Sequence, residues 1–182
     1  MRRTTLLLAT MALTLLVIAG VAWAATVQCR VNYPCVGTDE PDKLIGTNQA
    51  DSMDGKGDGD VLLGGRGADS MEGDSFNFGA GTPADGNDKV YGNAGSDLMW
   101  GGGGSDLLRG GNGGEPQIDA REPQNNPGED TVTGDGGDDF IVALDSFKDT
   151  IDCGDGEEDV VLFDDGIDVV ADNCEDQRPR TL

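Results

Sequence analysis

The sequence has no histidine, few aromatic residues and few basic residues. Its 182 residues include 12 Lys and Arg against 35 Asp and Glu, a formal net charge of −23, and only 5% are aromatic. Without histidine the chain has neither a zincin motif nor a Ser-His catalytic triad. The shortage of basic residues argues against nucleic acid as a partner, because duplex binding depends on Lys and Arg that neutralise phosphates. The acidic excess favours cations, basic proteins or simple solvation.

Long apolar runs are missing beyond residue 24. Arg2 and Arg3 precede an uncharged apolar run from Leu6 to Val21, and the residues A-W-A at 22–24 match a cleavage site. This arrangement is typical of a secretory signal peptide at residues 1–24, with cleavage before Ala25. A retained membrane anchor is the alternative, because the run approaches the length that spans a bilayer. We expect a secreted, extracellular mature chain without a membrane span.

The sequence beyond residue 24 shows no helical pattern. Apolar residues do not recur at intervals of three and four, and the frequent glycines each disfavour a helix by about 1 kcal/mol. Three-residue apolar segments, such as Val61–Leu63 and Phe140–Val142, fit very short strands instead. We therefore predict an all-β fold in which short strands alternate with glycine turns.

Aspartate is abundant and recurs at a spacing of nine residues. An apolar residue follows each of these aspartates two positions later, and a glycine-rich stretch precedes most of them. The unit is G-G-x-G-x-D-x-U-x, where U is apolar, and clean copies are Gly64–Glu72, Gly92–Trp100, Gly101–Arg109 and Gly134–Val142. The aspartates of the series are Asp42, Asp51, Asp60, Asp69, Asp88, Asp97, Asp106, Asp130 and Asp139.

This unit has the composition of an oxygen-lined turn. Its last three residues are extended with U pointing inward, and its first six residues form the turn. Glycine accepts positive φ there, so that carbonyl oxygens converge, and the aspartate adds a carboxylate. Such ligands suit Ca²⁺, which takes about six to eight oxygens at flexible geometry, better than Mg²⁺. Besides the aspartates, we predict as metal-site residues the turn glycines Gly65, Gly67, Gly95, Gly102, Gly104 and Gly137.

One coil of such a solenoid needs two units, so each turn stacks on the turn two units further along. This stacking predicts which aspartates share an ion. The apolar stripe is thin, and the acids repel one another while the backbone loses entropy on folding. We therefore expect calcium to be required for folding. The predicted pairs are Asp42–Asp60, Asp51–Asp69, Asp69–Asp97, Asp88–Asp106 and Asp106–Asp139.

The period is interrupted at two places, 74–83 and 112–128, and the second is expected to be a solvated surface loop.

Four cysteines in an exported chain suggest two disulfides, for which three connectivities are possible. We predict local pairing of Cys29 with Cys35 and of Cys153 with Cys174, because these two bonds would covalently fix both ends of the fold. The expected organisation is a signal peptide at 1–24, a cap at 25–36, repeats at 37–142 with the two insertions, irregular repeats and a cap at 143–176, and a flexible tail at 177–182.

The unit resembles the RTX (haemolysin-type) calcium-binding nonapeptide repeat, whose consensus is G-G-x-G-x-D-x-U-x. The resemblance covers roughly residues 37–161 and implies a parallel β-roll, with calcium held between stacked turns by the aspartate and turn carbonyls. The first units depart from the consensus, with Gly-Thr in place of Gly-Gly and with Glu40, Gln49 and Asp58 at the fourth position. The closing segment is similar to that of small exported bacterial calcium-binding repeat proteins.

The predicted function is calcium binding by a secreted protein that folds with calcium and has a structural or adhesive role. A disordered acidic linker is the plain alternative, but the phased apolar residues argue against it. No enzyme is expected, because signal, caps and repeats account for the chain. A protein that binds or modifies extracellular polysaccharide, or that binds envelope proteins, stays open. Trp100, Phe76, Phe78 and Tyr91 would grip such a ligand from one surface, although packing of Phe76 and Phe78 within their own loop is the simpler interpretation.

Overall fold

The computed structural model describes residues 25–74 and 85–181. Within these ranges the chain forms sixteen β-strands and no helix. The described part therefore contains no helix long and apolar enough to cross a membrane. The predicted signal peptide, most of the first insertion, and Phe76 and Phe78 lie outside the described residues.

The strands alternate between two parallel sheets of eight strands, so that two successive strands make one coil of a solenoid. Each strand pairs with the strand two positions further along the chain, which confirms the predicted all-β parallel solenoid. The first sheet contains β1 (Ala25–Gln28), β3 (Asp42–Ile45), β5 (Val61–Arg66), β7 (Lys89–Ala94), β9 (Leu107–Asn112), β11 (Thr131–Gly136), β13 (Thr150–Asp152) and β15 (Val169–Val170). The second contains β2 (Cys35–Val36), β4 (Ser52–Lys56), β6 (Ser70–Asp74), β8 (Leu98–Trp100), β10 (Gln117–Asp119), β12 (Phe140–Ala143), β14 (Val160–Asp164) and β16 (Asp176–Arg180).

The core is built from one inward-facing apolar residue in each of the central strands. The register places these residues directly over one another, as with Leu44 and Leu62 in the first sheet. Met53 and Met71 stack in the same way in the second sheet. Their neighbours along most of these strands face outward, as the alternation of a β-strand requires, whereas Val142 in β12 and Asp119 in β10 are buried as well. The buried residues are Leu44, Leu62, Val90, Leu108, Val132 and Ile151 in the first sheet, and Met53, Met71, Met99, Ile118, Ile141 and Val161 in the second.

Disulfides lie near both ends of the solenoid. Cys29 is bonded to Cys35 and Cys153 is bonded to Cys174, which confirms the predicted pairing. The first bond closes the coil formed by β1 and β2. The segment 25–36, predicted to be a cap, is therefore the first coil itself, since β1 and β2 pair with β3 and β4.

Two segments differ from the sequence prediction. The segment 112–128 is not only a surface loop, because it contains β10 and places the fully buried Ile118 in the core. The segment 177–182 is not a free tail as far as Arg180, because β16 pairs along its whole length with β14. Every residue of β16 is exposed, so an apolar pattern gives no signal for this strand. Backbone pairing and an ion pair between Arg180 and the buried Asp164 (2.6 Å from Nε to Oδ1) hold it instead.

Candidate metal-binding turns

The repeat aspartates form two rows of hydrogen bonds along the solenoid. In both rows, Oδ1 of every aspartate after the first accepts a hydrogen bond from the backbone N–H of the acidic residue one coil earlier. The N–H of Asp42 donates to Asp60 at 2.6 Å, and that of Asp69 donates to Asp97 at 2.8 Å. The first row contains Asp42, Asp60, Asp88, Asp106, Asp130, Asp149 and Asp168. The second row has two hydrogen-bonded parts, Asp51–Asp69–Asp97 and Glu115–Asp139–Asp159, because neither carboxylate oxygen of Glu115 accepts a hydrogen bond.

Four of the five predicted stacking pairs are adjacent members of a row. The fifth, Asp106–Asp139, is wrong, because Asp106 pairs with Asp130 in the first row. Asp139 instead accepts from the N–H of Glu115 in the second row. The error comes from the segment 112–128. Treating it as a loop omitted one strand, β10, and therefore shifted every later unit by half a coil.

The second carboxylate oxygen of most row members has no hydrogen-bond partner. These Oδ2 atoms are buried, and a buried acceptor left without a donor or a cation is costly. Backbone N–H groups of the strands are already used in the ladders and by the Oδ1 atoms. The row members with an unpartnered second oxygen are Asp60, Asp69, Asp88, Asp97, Asp106, Asp130, Asp139, Asp149 and Asp159, with both side-chain oxygens of Glu115.

The first two turns are exceptions, and their sequence explains why. The N–H of Thr47 donates to Oδ2 of Asp51 at 2.6 Å. The N–H and hydroxyl of Thr38 both donate to Oδ2 of Asp42, at 2.7 and 2.9 Å. In these two units, where Gly-Thr replaces the Gly-Gly of the repeat, the threonine therefore supplies the hydrogen bonds to the second carboxylate oxygen from within the same turn. Of the predicted metal-site aspartates, Asp42 and Asp51 are therefore the ones that need no further partner.

The predicted glycines adopt the backbone that the turn requires. Gly65, Gly67, Gly95, Gly102, Gly104 and Gly137 all have positive φ, between 106° and 146°. Stacking adds a second restriction, because a Cβ on Gly95 would lie 1.4 Å from the carbonyl oxygen of Gly67. Non-glycine residues at equivalent turn positions keep the conformation, as with Asp58 (φ 62°) and Asn93 (φ 73°).

The first glycine of each unit brings the unpartnered oxygen next to a carbonyl of the neighbouring coil. A Cβ on Gly55 would lie 2.3 Å from both Oδ2 of Asp60 and the carbonyl oxygen of Gly73. A Cβ on Gly92 would lie 2.4 Å from Oδ2 of Asp97 and 2.5 Å from the carbonyl oxygen of Gly110. Carboxylate and carbonyl oxygens thus converge where only a glycine leaves space. This donor set fits Ca²⁺, a hard cation bound by such oxygens.

Burial strongly perturbs the ionisation of the row carboxylates. It raises the pKa of Asp60 to about 7, of Asp149 to about 8 and of Asp88 to about 9. The backbone hydrogen bonds offset part of this effect, and charges of neighbouring aspartates add to it. A folded chain without a counter-cation therefore holds several of these groups protonated near neutral pH.

The predicted site residues do not include several buried acids, which are Asp74, Glu115, Asp119, Glu122, Asp149, Asp159 and Asp164. Glu115 is 1% exposed, and burial followed by contact with Asp139 raises its pKa to about 10. Its signal is visible in retrospect, because G-G-N-G-G-E at 110–115 is the repeat turn with glutamate for aspartate. Asp74 and Glu122 lie within the two interruptions of the period, where the repeat pattern gives no signal.

In a comparison with protein families, the chain matches the RTX calcium-binding nonapeptide repeat in four copies, over residues 36–77, 84–114 and 126–145. The chain belongs to the RTX calcium-binding nonapeptide repeat family. No curated protein and no solved structure shows a match. The matched segments of this RTX protein include the repeat aspartates from Asp42 to Asp139, but they leave out Glu115, β10 and Glu122.

Proposed function

We propose that this RTX protein binds calcium ions between its stacked turns and that the ions complete its fold. The observation that carries the proposal is the pair of rows of buried, unpartnered Oδ2 atoms facing carbonyl oxygens of the next coil. Calcium supplies the positive charge that these oxygens lack. The aspartates and the turn carbonyls hold the ion, and the Oδ1 hydrogen bonds keep each carboxylate in place. The fully consensus turns are the principal sites, while those of Asp42 and Asp51 contribute least.

Calcium titration of the purified mature chain tests this proposal. We expect calorimetry to detect several calcium ions per chain and much weaker binding of Mg²⁺, because Mg²⁺ requires tighter octahedral geometry. Circular dichroism and thermal melts in excess chelator should show a loosened chain, and calcium should restore a cooperative transition. Magnesium at the same ionic strength is the control for nonspecific screening. A compact, cooperative chain in chelator that takes up no calcium would contradict the proposal.

We propose further that the protein is exported and acts outside the cell as a calcium-stiffened structural or adhesive module. Two disulfides support this location, since they persist in oxidising compartments. Residues 1–24 serve as the signal peptide, so the intact mass of the exported protein should correspond to a chain starting at Ala25. A mass that retains these residues would favour the membrane anchor.

Polysaccharide and envelope proteins are the partners proposed for an adhesive role, and no enzymatic activity is part of it. Tyr91 is on β7 in the first sheet, whereas Trp100 is on β8 in the second. Both follow a buried residue and so face outward from different sheets. These two aromatic residues therefore do not form one binding surface, and a structural role is the function that we favour. Calcium-dependent retention of the protein on isolated envelope fractions would support the adhesive role.

A further inference from the structure

Glu122 is a buried acid that the repeat does not account for. It lies between β10 and β11, in the stretch that the family match leaves out, and its side chain is 8% exposed. A glutamate is rarely buried to this degree without a partner of opposite charge. Its neighbour in the chain, Arg121, pairs with Asp119.

Glu122 faces two successive members of the first row. Carboxylate oxygens of Asp106, Glu122 and Asp130 all lie within 4.8 Å of one another, and all three residues are buried. Oε2 of Glu122 accepts a hydrogen bond from the N–H of Gly104 at 3.3 Å, whereas Oε1 has no partner. Oδ2 of Asp106 and Oδ2 of Asp130 are unpartnered as well. Three buried carboxylates thus face one another, each with a free oxygen.

The separation of these oxygens is within the range that a single calcium ion can span. Ligand oxygens at about 2.4 Å from a central ion are at most about 4.8 Å apart. A water molecule has two hydrogens to donate and so cannot satisfy three such oxygens, nor does it offset their charge. Backbone N–H groups fix the arrangement, because Asp106 donates to Oδ1 of Asp130 at 2.8 Å and Glu122 donates to Oδ2 of Asp145 at 2.8 Å.

We infer that Asp106, Glu122 and Asp130 form a calcium site of their own composition, with a third carboxylate that the nonapeptide repeat does not provide. This inference rests on the proposed function, since it takes the same ion. Calcium affinity in proteins rises with the charge of the ligand set and with the rigidity of the site. The site therefore binds calcium more tightly than the repeat turns and is the first to fill. The second interruption of the period is the segment that builds it.

Replacement of Glu122 by glutamine in the full mature chain tests the inference. Glu122→Gln keeps the shape of the side chain and an oxygen for the N–H of Gly104 while removing the charge. Glu129→Gln is the matched control, because it removes the same charge from the same connection between β10 and β11, at a side chain that is 68% exposed. Titration in competition with a chromophoric calcium chelator should show one tight site in the unmodified chain and in the control. In Glu122→Gln that site should weaken by about tenfold or more, with the weaker sites retained.

Thermal melts separate a calcium ligand from a structural residue. We expect Glu122→Gln to melt at or above the temperature of the unmodified chain in chelator, and below it in calcium. Equal losses in both conditions would assign Glu122 a structural role and overturn the inference. An unchanged titration of Glu122→Gln beside normal calcium uptake by the unmodified chain would also overturn it, while leaving the repeat sites intact. No calcium uptake by the unmodified chain would overturn the proposed function together with the inference.

Discussion

At the scale of the residue, the two oxygens of each repeat aspartate have different tasks. Oδ1 is a permanent acceptor for a backbone N–H one coil earlier, so it aligns adjacent coils. Oδ2 is left for a partner that the chain itself does not supply, except where a threonine N–H reaches it. Members of one row therefore differ in whether their carboxylate is completed from within or needs a cation.

Substitution of aspartate by asparagine at two places in the second row should separate these cases. Asp97→Asn keeps the acceptor for the N–H of Asp69 and removes the charge of an unpartnered oxygen. We expect fewer bound calcium ions and a lower melting temperature in calcium, with no loss in chelator.

Asp51→Asn is the comparison variant, because its amide oxygen can still accept from the N–H of Thr47 while the charge is removed. It should change the free energy of unfolding by the same small amount, about 1 kcal/mol or less, in calcium and in chelator. Denaturant unfolding in both conditions measures the difference. If calcium changed the stability of the two variants to a similar extent, the proposed difference between the Asp97 and Asp51 carboxylates would be contradicted.

At the scale of the element, much of the solenoid follows from spacing alone. The fixed separation of the aspartate and the apolar residue U predicts where β3 to β9 lie, which residue of each strand faces inward, and how the strands are paired. The positions of the cysteines near the two ends of the chain predict both disulfides. The later elements are hidden for physical reasons. Glu115 replaces aspartate, and two residues instead of one separate it from the buried Ile118, so the repeat pattern disappears while the strand remains. In β16 the stabilising contacts are backbone bonds and an ion pair, which apolar spacing does not report.

The turn between β7 and β8 offers a direct test of close stacking. Gly95→Ala places a methyl group 1.4 Å from the carbonyl oxygen of Gly67 at a φ of 146°. We expect a loss of about 3 kcal/mol or more in unfolding free energy, because steric overlap and backbone strain add. At Gly136 the nearest atom is 3.8 Å away, so Gly136→Ala should cost less than about 1 kcal/mol. Equal effects in chemical unfolding would show that the turns are not tightly stacked.

At the scale of the whole molecule, the charges of the two rows act together. The sign of the pH dependence without calcium follows from their raised pKa values. Asp60, Asp88 and Asp149 titrate at about 7, 9 and 8 in the folded chain, against an ordinary value of 3.8. The folded chain therefore binds more protons than the unfolded chain in this window, and its stability falls as pH rises. One buried aspartate near the C-terminal end of the solenoid is an exception. Although burial acts to raise it, the pKa of Asp164 is below its ordinary value because Arg180 pairs with it.

Melting in excess chelator at several pH values measures this dependence. The protonated Asp60, Asp88 and Asp149 contribute to the free energy of unfolding in chelator. This stabilising contribution is fully present below about pH 4 and is lost as pH rises through about 7 to 9. The melting temperature in chelator should therefore be higher at pH 5 than at pH 8. In saturating calcium the order should reverse, because protons compete with the ion for the same oxygens. A chelated chain that is more stable at pH 8 than at pH 5 would contradict the raised pKa values.

Because two units complete one coil, the molecule has a structural reading frame of eighteen residues. Loss of residues 46–63 would bring Asp42 next to Asp88 and Cys35 next to Met71, with every downstream residue still in its own sheet. Loss of nine residues would exchange the two sheets for the rest of the chain and set methionines against leucines. The fold therefore tolerates the insertion or deletion of a whole coil of eighteen residues. A change of nine residues instead moves every later strand into the opposite sheet.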